Sequence, residues 1–353
     1  MNDSLRWMQR LADVPGPSGL EHEVKKLLQA RLEASAEVTY DNLGSIIFQK
    51  TGSSTNPRIM VTSHMDEVGF VIRQITSDGF LRFAPLGRIN EHHAIGQRVT
   101  IVTREENCQG VIVGQRNENS NALTYQDMLI DIGASSLTEA GEVFGVQPGD
   151  YVVPSSQFTV LKGGRILSKA LDNRIGCSVM SELVDQLQHV DHPNTVFGVG
   201  TVQEEVGIRG AKTVTRLINP DIAFVIDACS AGDVPGESLE RNNIQIGRGV
   251  VVNIGDDAYI APRPLVELAA EVGRSNGISF QIGFSQGGTE AARIQTYGEG
   301  VPTLVLGIPT KYVHGFNSMA HLEDYQSALN LLRAVVQTVD RQTVAQLISS
   351  IHG

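Results

Sequence analysis

The chain contains 353 residues, more than one compact core usually holds, so we expect two domains or one domain with a large insertion. Its composition, 41% hydrophobic and 19% charged, is that of an ordinary globular protein, and no apolar run approaches the length of a membrane-spanning helix. The net charge of -11 and the lack of a lysine and arginine cluster argue against nucleic acid as a partner, because phosphate binding needs a positive field. These properties exclude membrane and nucleic-acid partners and favour small molecules or peptides as substrates.

The cysteines match the spacing of neither a disulfide framework nor a zinc finger; they are Cys108, Cys177 and Cys229. The first 14 residues have the apolar spacing of a helix but lack the basic segment and apolar stretch of a secretory signal. We therefore expect a reducing, cytoplasmic location. Cys177 and Cys229 lie in apolar stretches, which favours packed core thiols over nucleophiles.

The first third of the chain is predicted to begin with two helices and to continue as strands. Apolar spacing favours helices over residues 4–14 and 19–35, and β-rich runs predict strands over 38–40, 45–49 and 58–63. The last of these strands leads directly into His64 and Asp66.

Residues 68–163 differ from the rest of the chain in their pattern of apolar and turn-forming residues. Short alternating or β-branched runs are separated there by Gly, Asn, Asp and Pro, with little helical periodicity. This pattern predicts a small all-β domain inserted between residues 1–67 and residues 164–353.

Helices and strands alternate after the insertion. Helices are predicted over 171–187, 211–218, 264–275, 288–297 and 321–341, and strands over 194–202, 221–227, 279–284 and 302–307. This alternation is typical of an α/β domain with a mostly parallel sheet. Residues 1–67 and 164–353 are therefore predicted to form one α/β domain.

Carboxylate and imidazole side chains follow several of the predicted strands, where open α/β sheets bind their ligands. One more carboxylate lies where the insertion returns to a helix. Such groups are ligands for divalent metals. The candidates are His64, Asp172, Glu205, Asp227 and His314.

Charge assigns a role to each candidate ligand. Two divalent ions carry four positive charges, the three carboxylates supply three negative ones, and a hydroxide would supply the fourth, since a metal lowers the pKa of water from about 15.7 to about 7. His64 and His314 must be neutral to coordinate. Asp172, a short carboxylate at a helix start, is the candidate bridge between the ions.

Glu204 and Glu205 are adjacent, and neighbouring side chains of one strand point to opposite faces. Both reach the site only if the strand has already turned, as the nearby Gly207 suggests. One can then bind metal while the other, Glu204, transfers the proton. Asp66 is placed to accept the second imidazole N–H of His64 and fix its tautomer.

These residues resemble the M42 family of metallo-aminopeptidases, the glutamyl and deblocking enzymes of tetrahedral assembly, over almost the whole chain. The likeness rests on His64-x-Asp66, Ala170-Leu-Asp172-Asn173-Arg174, Gln203-Glu204-Glu205-Val206-Gly207, Asp227 and His314.

The resemblance implies an exopeptidase-like α/β catalytic domain whose inserted β domain supplies assembly contacts and substrate access. It implies two divalent ions per subunit, with Zn²⁺ and Co²⁺ expected and manganese also compatible. One ion would bind His64, Asp172 and Asp227, and the other Asp172, Glu205 and His314. Catalytic roles would belong to Glu204 as general base and to Asp66 behind His64. Short peptides are the implied substrates, and a homo-oligomer, commonly a dodecamer, the implied assembly.

The chain departs from the family pattern in two places, with Gly315 after the late histidine and Glu290 at the end of Gly287-Gly288-Thr289-Glu290. Both are expected near the substrate, so they bear on specificity. The glycine-rich run is more typical of a helix start than of a phosphate-binding loop, because no lysine follows. His92-His93 is expected at the surface or an interface, with contact to a neighbour's active site as the alternative.

The preferred N-terminal residue is left open. Arg248 and Lys311 are possible partners for an acidic side chain, or equally solvated charges. A deacylase or carboxypeptidase on the same fold is the alternative reaction, and a non-catalytic assembly protein is a third hypothesis.

Overall fold

The computed structural model describes residues 3–114 and 124–352 of the chain. The α-helices are α1 Asp3–Asp13, α2 His22–Leu32, α3 Glu91–Ala94, α4 Leu137–Glu142, α5 Leu171–Gln186, α6 Arg209–Ile218, α7 Arg263–Ser275, α8 Ala291–Ile294, α9 Leu322–Thr338 and α10 Arg341–His352. The strands are β1 Glu37–Tyr40, β2 Ile46–Thr51, β3 Arg58–His64, β4 Gly69–Ile75, β5 Leu81–Leu86, β6 Arg98–Val102, β7 Cys108–Gly114, β8 Met128–Asp131, β9 Tyr151–Pro154, β10 Thr159–Val160, β11 Arg165–Ser168, β12 Thr195–Thr201, β13 Ile222–Ser230, β14 Val250–Asn253, β15 Gly255–Asp256, β16 Tyr259–Ile260, β17 Phe280–Gly283, β18 Thr303–Lys311 and β19 Ser318–His321. No helix within the described ranges is both long and apolar enough to cross a bilayer.

Eleven of the strands in the described ranges form one mixed sheet, with the main order β1-β2-β12-β3-β13-β18-β19-β11-β10 and with β14 and β17 branching from β18. Its centre, β12-β3-β13-β18, is parallel, and antiparallel strands extend it on both sides. The central strands are almost continuous buried apolar runs, as parallel strands covered on both faces require. Their carboxyl ends therefore meet at one edge of the sheet.

Helix α5 is the main helix of the core. It packs against β3, β12 and β13 on one side and against α1 and α9 on the other. The core around it is built from large buried side chains such as Met8, Leu28, Phe48, Met60 and Phe224. Because Asp172 lies in the first turn of α5, this packing fixes the segment that carries that carboxylate.

A second sheet, separate from the first, closes into a barrel in the order β4-β5-β8-β7-β6-β9. It has its own core, in which the rings of Phe70 and Phe83 meet edge to face at 4.9 Å. The α/β class with a small additional β unit is thereby confirmed, with a sheet that is mixed and parallel at its centre. The short strand β10 pairs with β11 in the large sheet. The placement of the domain boundaries at residues 68 and 163 stays a prediction. The predicted insertion includes residues 115–123, which lie outside the described part of the chain.

Candidate metal centre

Three of the predicted ligand segments start from neighbouring strands at one edge of the large sheet. His64 is the last residue of β3, and its register partner is Thr201, the last residue of β12. Asp227 lies on β13, the other neighbour of β3. The parallel arrangement therefore brings His64, Asp227 and the segment that follows β12 together.

The two adjacent glutamates lie beyond the end of β12, after the chain has turned. Gln203 has a φ of 57°, in the left-handed region. The next two backbone N–H groups both donate to the Asp66 carboxylate, Glu204 at 2.9 Å and Glu205 at 3.1 Å. Since the segment is no longer a strand, both glutamate side chains line the same cavity.

Asp172 lies between the two imidazoles. Its Oδ1 is 3.1 Å from His64 Nε2 and its Oδ2 is 3.0 Å from His314 Nε2. The residue has φ -85° and ψ 103°, so regular helix geometry begins only after it. Asn173 anchors this non-helical start by donating through Nδ2 to the Ile226 carbonyl on β13 at 2.8 Å. One carboxylate thus presents its two oxygens to two different histidines.

The donor atoms fall into two groups that share Asp172. In the first, His64 Nε2 lies 3.1 Å from Asp172 Oδ1 and 3.6 Å from Asp227 Oδ1. In the second, His314 Nε2 lies 3.0 Å from Asp172 Oδ2 and 3.3 Å from Glu205 Oε2. Ligands bound tetrahedrally at about 2.0–2.2 Å are about 3.3–3.6 Å apart. The contacts of the imidazoles with Asp227 and Glu205 have this spacing, and those with Asp172 are shorter by about 0.2–0.3 Å. The donors also include a mixed set, His64, Asp172 and Glu205, within 4.8 Å of one another.

Glu205 gives an independent sign that a cation belongs here. Its Oε1 is buried and has no hydrogen-bond partner among the described residues. A buried polar atom without a partner costs about 1–3 kcal/mol. A bound ion would satisfy this oxygen, so the residues present fit a divalent metal.

The electrostatics of the cluster agree with this fit. Burial alone would lower the pKa of His314, but the neighbouring Glu205 and Asp172 raise it to about 11. Burial raises the pKa of Glu204, and the adjacent Glu205 raises it further. Burial likewise raises the pKa of Asp227. Without an ion the cluster therefore retains protons, and divalent ions would replace them.

Asp66 lies behind the cluster. Its carboxylate accepts the Ser18 hydroxyl at 2.5 Å in addition to the two glutamate N–H groups. His64 Nδ1 is 3.1 Å from the Asp66 backbone carbonyl and 3.5 Å from its carboxylate Oδ1. The backbone carbonyl is thus the nearer acceptor for the imidazole N–H, and the carboxylate mainly holds the turn that carries the glutamates.

A buried ion network supports the start of α5. Glu67 accepts Lys169 Nζ at 2.7 and 2.8 Å and Arg174 Nη2 at 3.2 Å. Arg174 also donates through Nε to the carbonyl of Met65 at 2.8 Å. These contacts tie both flanks of Asp172 to the segment after His64.

The predicted residues line a cavity of about 450 Å³, and residues that were not predicted complete its wall. Arg88, two residues after the barrel strand β5, also lines it. A Cβ on the preceding Gly87 would come within 3.2 Å of the Glu205 Cβ, so the two parts of the chain approach closely here. No local signal predicts this, because it depends on how the barrel lies against the large sheet.

Arg248 and Lys311 do not line this cavity. Lys311 is paired with Asp233 at 2.8 Å, and Arg248 is exposed. His92 and His93 lie exposed in the short helix α3.

The two departures from the family pattern lie near the site. Gly315 follows His314 in the loop after β18. Glu290 is buried, and neither of its oxygens forms a hydrogen bond with a described residue. Burial raises its pKa to about 7, and the nearby hydroxyls of Thr201 and Thr62 only partly oppose this rise.

Cys177 and Cys229 are buried free thiols, as expected of core cysteines. Cys177 Sγ donates to the His64 carbonyl at 3.1 Å.

The chain is similar in sequence and in fold to known aminopeptidases. Residues 44–331 match the sequence profile described as M42 glutamyl aminopeptidase. The glutamyl aminopeptidase of Lactococcus lactis is 32% identical, over 96% of this chain and 98% of that one. A TET aminopeptidase of a marine-sediment Thaumarchaeota archaeon superposes with a TM-score of 0.94 at 37% identity, over 98% of each chain. The TET1 peptidase of Pyrococcus horikoshii, which can assemble into a tetrahedron or a large octahedral shell, gives a TM-score of 0.85 at 31% identity, over 96% of this chain and 100% of that one.

Proposed function

Because the chain belongs to the M42 glutamyl aminopeptidase family, we propose that it removes N-terminal residues from short peptides at a centre of two divalent ions, with Glu204 as the general base. The observation that carries this proposal is Asp172, whose two oxygens face two different imidazoles. His64, Asp172 and Asp227 would hold one ion, and Asp172, Glu205 and His314 the other.

When bound, the ions would polarise the scissile carbonyl and acidify a water. Glu204 lines the same cavity without belonging to either group of donor atoms. Its raised pKa suits a group that accepts a proton from the attacking water and returns it to the leaving amine. Asp66 holds the Glu204 and Glu205 backbone and so positions the base relative to His64.

We also propose that the enzyme works as a homo-oligomer, with a dodecamer as the expected form. Support comes from the tetrahedral assembly of the Pyrococcus horikoshii relative. Residues 68–163 would supply assembly contacts and shape access to the cavity, as the position of Arg88 on its wall suggests.

The test compares Glu204→Gln with Glu271→Gln, an exposed change on α7. Each protein is reconstituted with Zn²⁺, Co²⁺ or Mn²⁺ and assayed on a panel of single-residue amides. We expect Glu204→Gln to lose at least about a hundredfold in kcat while still binding two ions per subunit in a calorimetric titration. Full activity in this variant would refute the assignment of the base.

The panel also tests the reaction class. Peptides with free and acetylated N-termini are digested side by side, and the products are identified by mass spectrometry. An aminopeptidase releases the first residue of the free peptide alone. Release of acetate or of C-terminal residues would identify a deacylase or a carboxypeptidase on the same site.

A further inference from the structure

A basic groove of about 750 Å³ lies next to the metal centre, between α6 and α8. Arg209, Lys212 and Arg216 occupy positions i, i+3 and i+7 of α6, so they share one face of that helix. Arg293 on α8 lines the groove as well. All four side chains belong to exposed residues.

Among the described residues, none of these cations has an acidic partner. In residues 3–114 and 124–352, the lysines and arginines that pair with carboxylates all lie elsewhere. Arg209 Nη1 donates to the neutral amide oxygen of Gln203 at 3.0 Å. The whole chain carries a net charge of -11, so this groove is a positively charged region on a protein of negative net charge.

The groove adjoins the catalytic cavity. Gly207 and Ile208 line both of them. The same segment carries the proposed base and a proposed metal ligand, Glu204 and Glu205, and then leads into α6 at Arg209. The cavity and the groove therefore adjoin at this segment, and a peptide held at the metal centre reaches the groove by passing over Gly207 and Ile208.

The proposed chemistry gives the direction of that extension. Glu204 returns its proton to the leaving nitrogen, so the departing peptide begins beside Glu204. Gly207, which lines both the cavity and the groove, donates its backbone N–H to the Glu204 carbonyl at 3.0 Å. Leu43, Ile208 and Tyr297 add apolar surface that suits a peptide backbone and its Cβ atoms.

We propose that this groove binds acidic side chains of the substrate on the C-terminal side of the scissile bond. The enzyme then prefers peptides that carry Asp or Glu a few residues after the bond it cuts. This inference rests on the proposed aminopeptidase function and adds the charge class of the departing peptide.

The experiment uses three peptides with the same first two residues, Leu-Ala-Glu-Glu-Ala, Leu-Ala-Gln-Gln-Ala and Leu-Ala-Lys-Lys-Ala, together with leucine p-nitroanilide. The test variant is Lys212→Gln/Arg216→Gln. Its matched control is Arg274→Gln/Arg341→Gln, which removes two exposed cations from helices α7 and α10. The measurements are kcat/KM for each substrate, at low and high salt, and the mass of the assembly by light scattering.

We expect the wild-type enzyme and the control to cleave the acidic peptide about threefold to tenfold better than the neutral one, as two exposed ion pairs would give. The test variant loses this ratio, keeps its activity on the p-nitroanilide and keeps its mass. High salt reduces the wild-type ratio, because exposed charges are screened.

Other outcomes overturn the proposal. If the wild-type enzyme cleaves the acidic and neutral peptides with equal kcat/KM, the predicted preference for acidic side chains is wrong. An unchanged ratio in the test variant shows that the groove does not bind the peptide, and a smaller assembly together with that result assigns the groove to a contact between subunits. Failure to hydrolyse the p-nitroanilide and every peptide refutes the proposed function itself, which is a separate result.

Discussion

Glu67→Gln tests whether the buried ion network beneath the metal centre holds the fold together. Glu67, Lys169 and Arg174 are only 1%, 3% and 0% exposed. A glutamine at this position keeps the volume but removes the carboxylate that pairs with both cations. It also turns an N–H donor toward Lys169 or Arg174, which themselves only donate.

The magnitude follows from this burial. Removing one partner of a buried ion pair costs about 3–5 kcal/mol, because a charge is left without compensation. With a melting entropy of about 2.1 cal/mol/K per residue over 353 residues, this loss lowers the thermal midpoint by about 4–7 °C.

The assay is thermal unfolding followed by circular dichroism, at one protein concentration and one metal concentration for all variants. Glu267→Gln is the matched control, because it breaks an exposed ion pair with the same 2.7 Å contact, to Arg263 on α7. Surface pairs contribute about 0.3–0.5 kcal/mol, so its midpoint changes by less than about 1 °C.

A second variant separates charge from packing. Glu67→Gln/Lys169→Met removes one of the two unpaired cations and should recover part of the lost midpoint, since Arg174 retains its backbone acceptors such as the Met65 carbonyl. The reasoning is refuted if Glu67→Gln melts no lower than the Glu267→Gln control.

Three further outcomes are expected. Asp66→Asn weakens the hydrogen bonds that the Glu204 and Glu205 N–H groups donate to this side chain. Titration calorimetry should then show a metal affinity about 10–100-fold lower, and unchanged affinity would contradict this. Chelation should lower the thermal midpoint, because ions at a hundred times their Kd contribute about 2.7 kcal/mol per site. This loss should shrink on acidification, because protons compete with the ions for His314 and weaken the binding that chelation removes. In the metal-free protein, the raised pKa of Glu290, about 7, favours the folded state below pH 4.5 and costs stability as pH rises through 7. Glu290→Gln should therefore melt progressively higher than wild type from pH 5 to pH 8, and parallel curves would refute this.

The centre of the fold was predictable because its strands are continuous apolar runs followed directly by polar ligands. The predicted strand over residues 58–63 is observed as Arg58–His64, and that over 194–202 as Thr195–Thr201. In a parallel sheet, strands of this kind bring their carboxyl ends to one edge. The meeting of His64 with Asp227 follows from that rule alone.

Other features depended on contacts that a single segment does not reveal. The strand Val250–Asn253 was not predicted, and its identity comes from pairing with β17 and β18. The helix predicted over 288–297 is observed only at Ala291–Ile294, after a glycine-rich turn. The predicted helix over 321–341 ends at Thr338, and α10 follows as a separate helix. Arg88 was missed because only the placement of the barrel brings it to the cavity.

The two halves of the proposed centre differ in how the chain holds them. His64 and Asp227 are strand residues in the buried middle of the sheet, and the His64 side chain is 2% exposed. Glu205 and His314 lie on loops, and the His314 side chain is 33% exposed. His314 itself has a φ of 61° and Tyr312 one of 59°. These left-handed conformations cost about 1–3 kcal/mol each and persist only where the surrounding structure enforces them. Asp172 contacts both halves through its two oxygens. The fold therefore builds one rigid half from secondary structure and one accessible half from strained loops, and the accessible half adjoins the turn that carries the base and opens toward the basic groove.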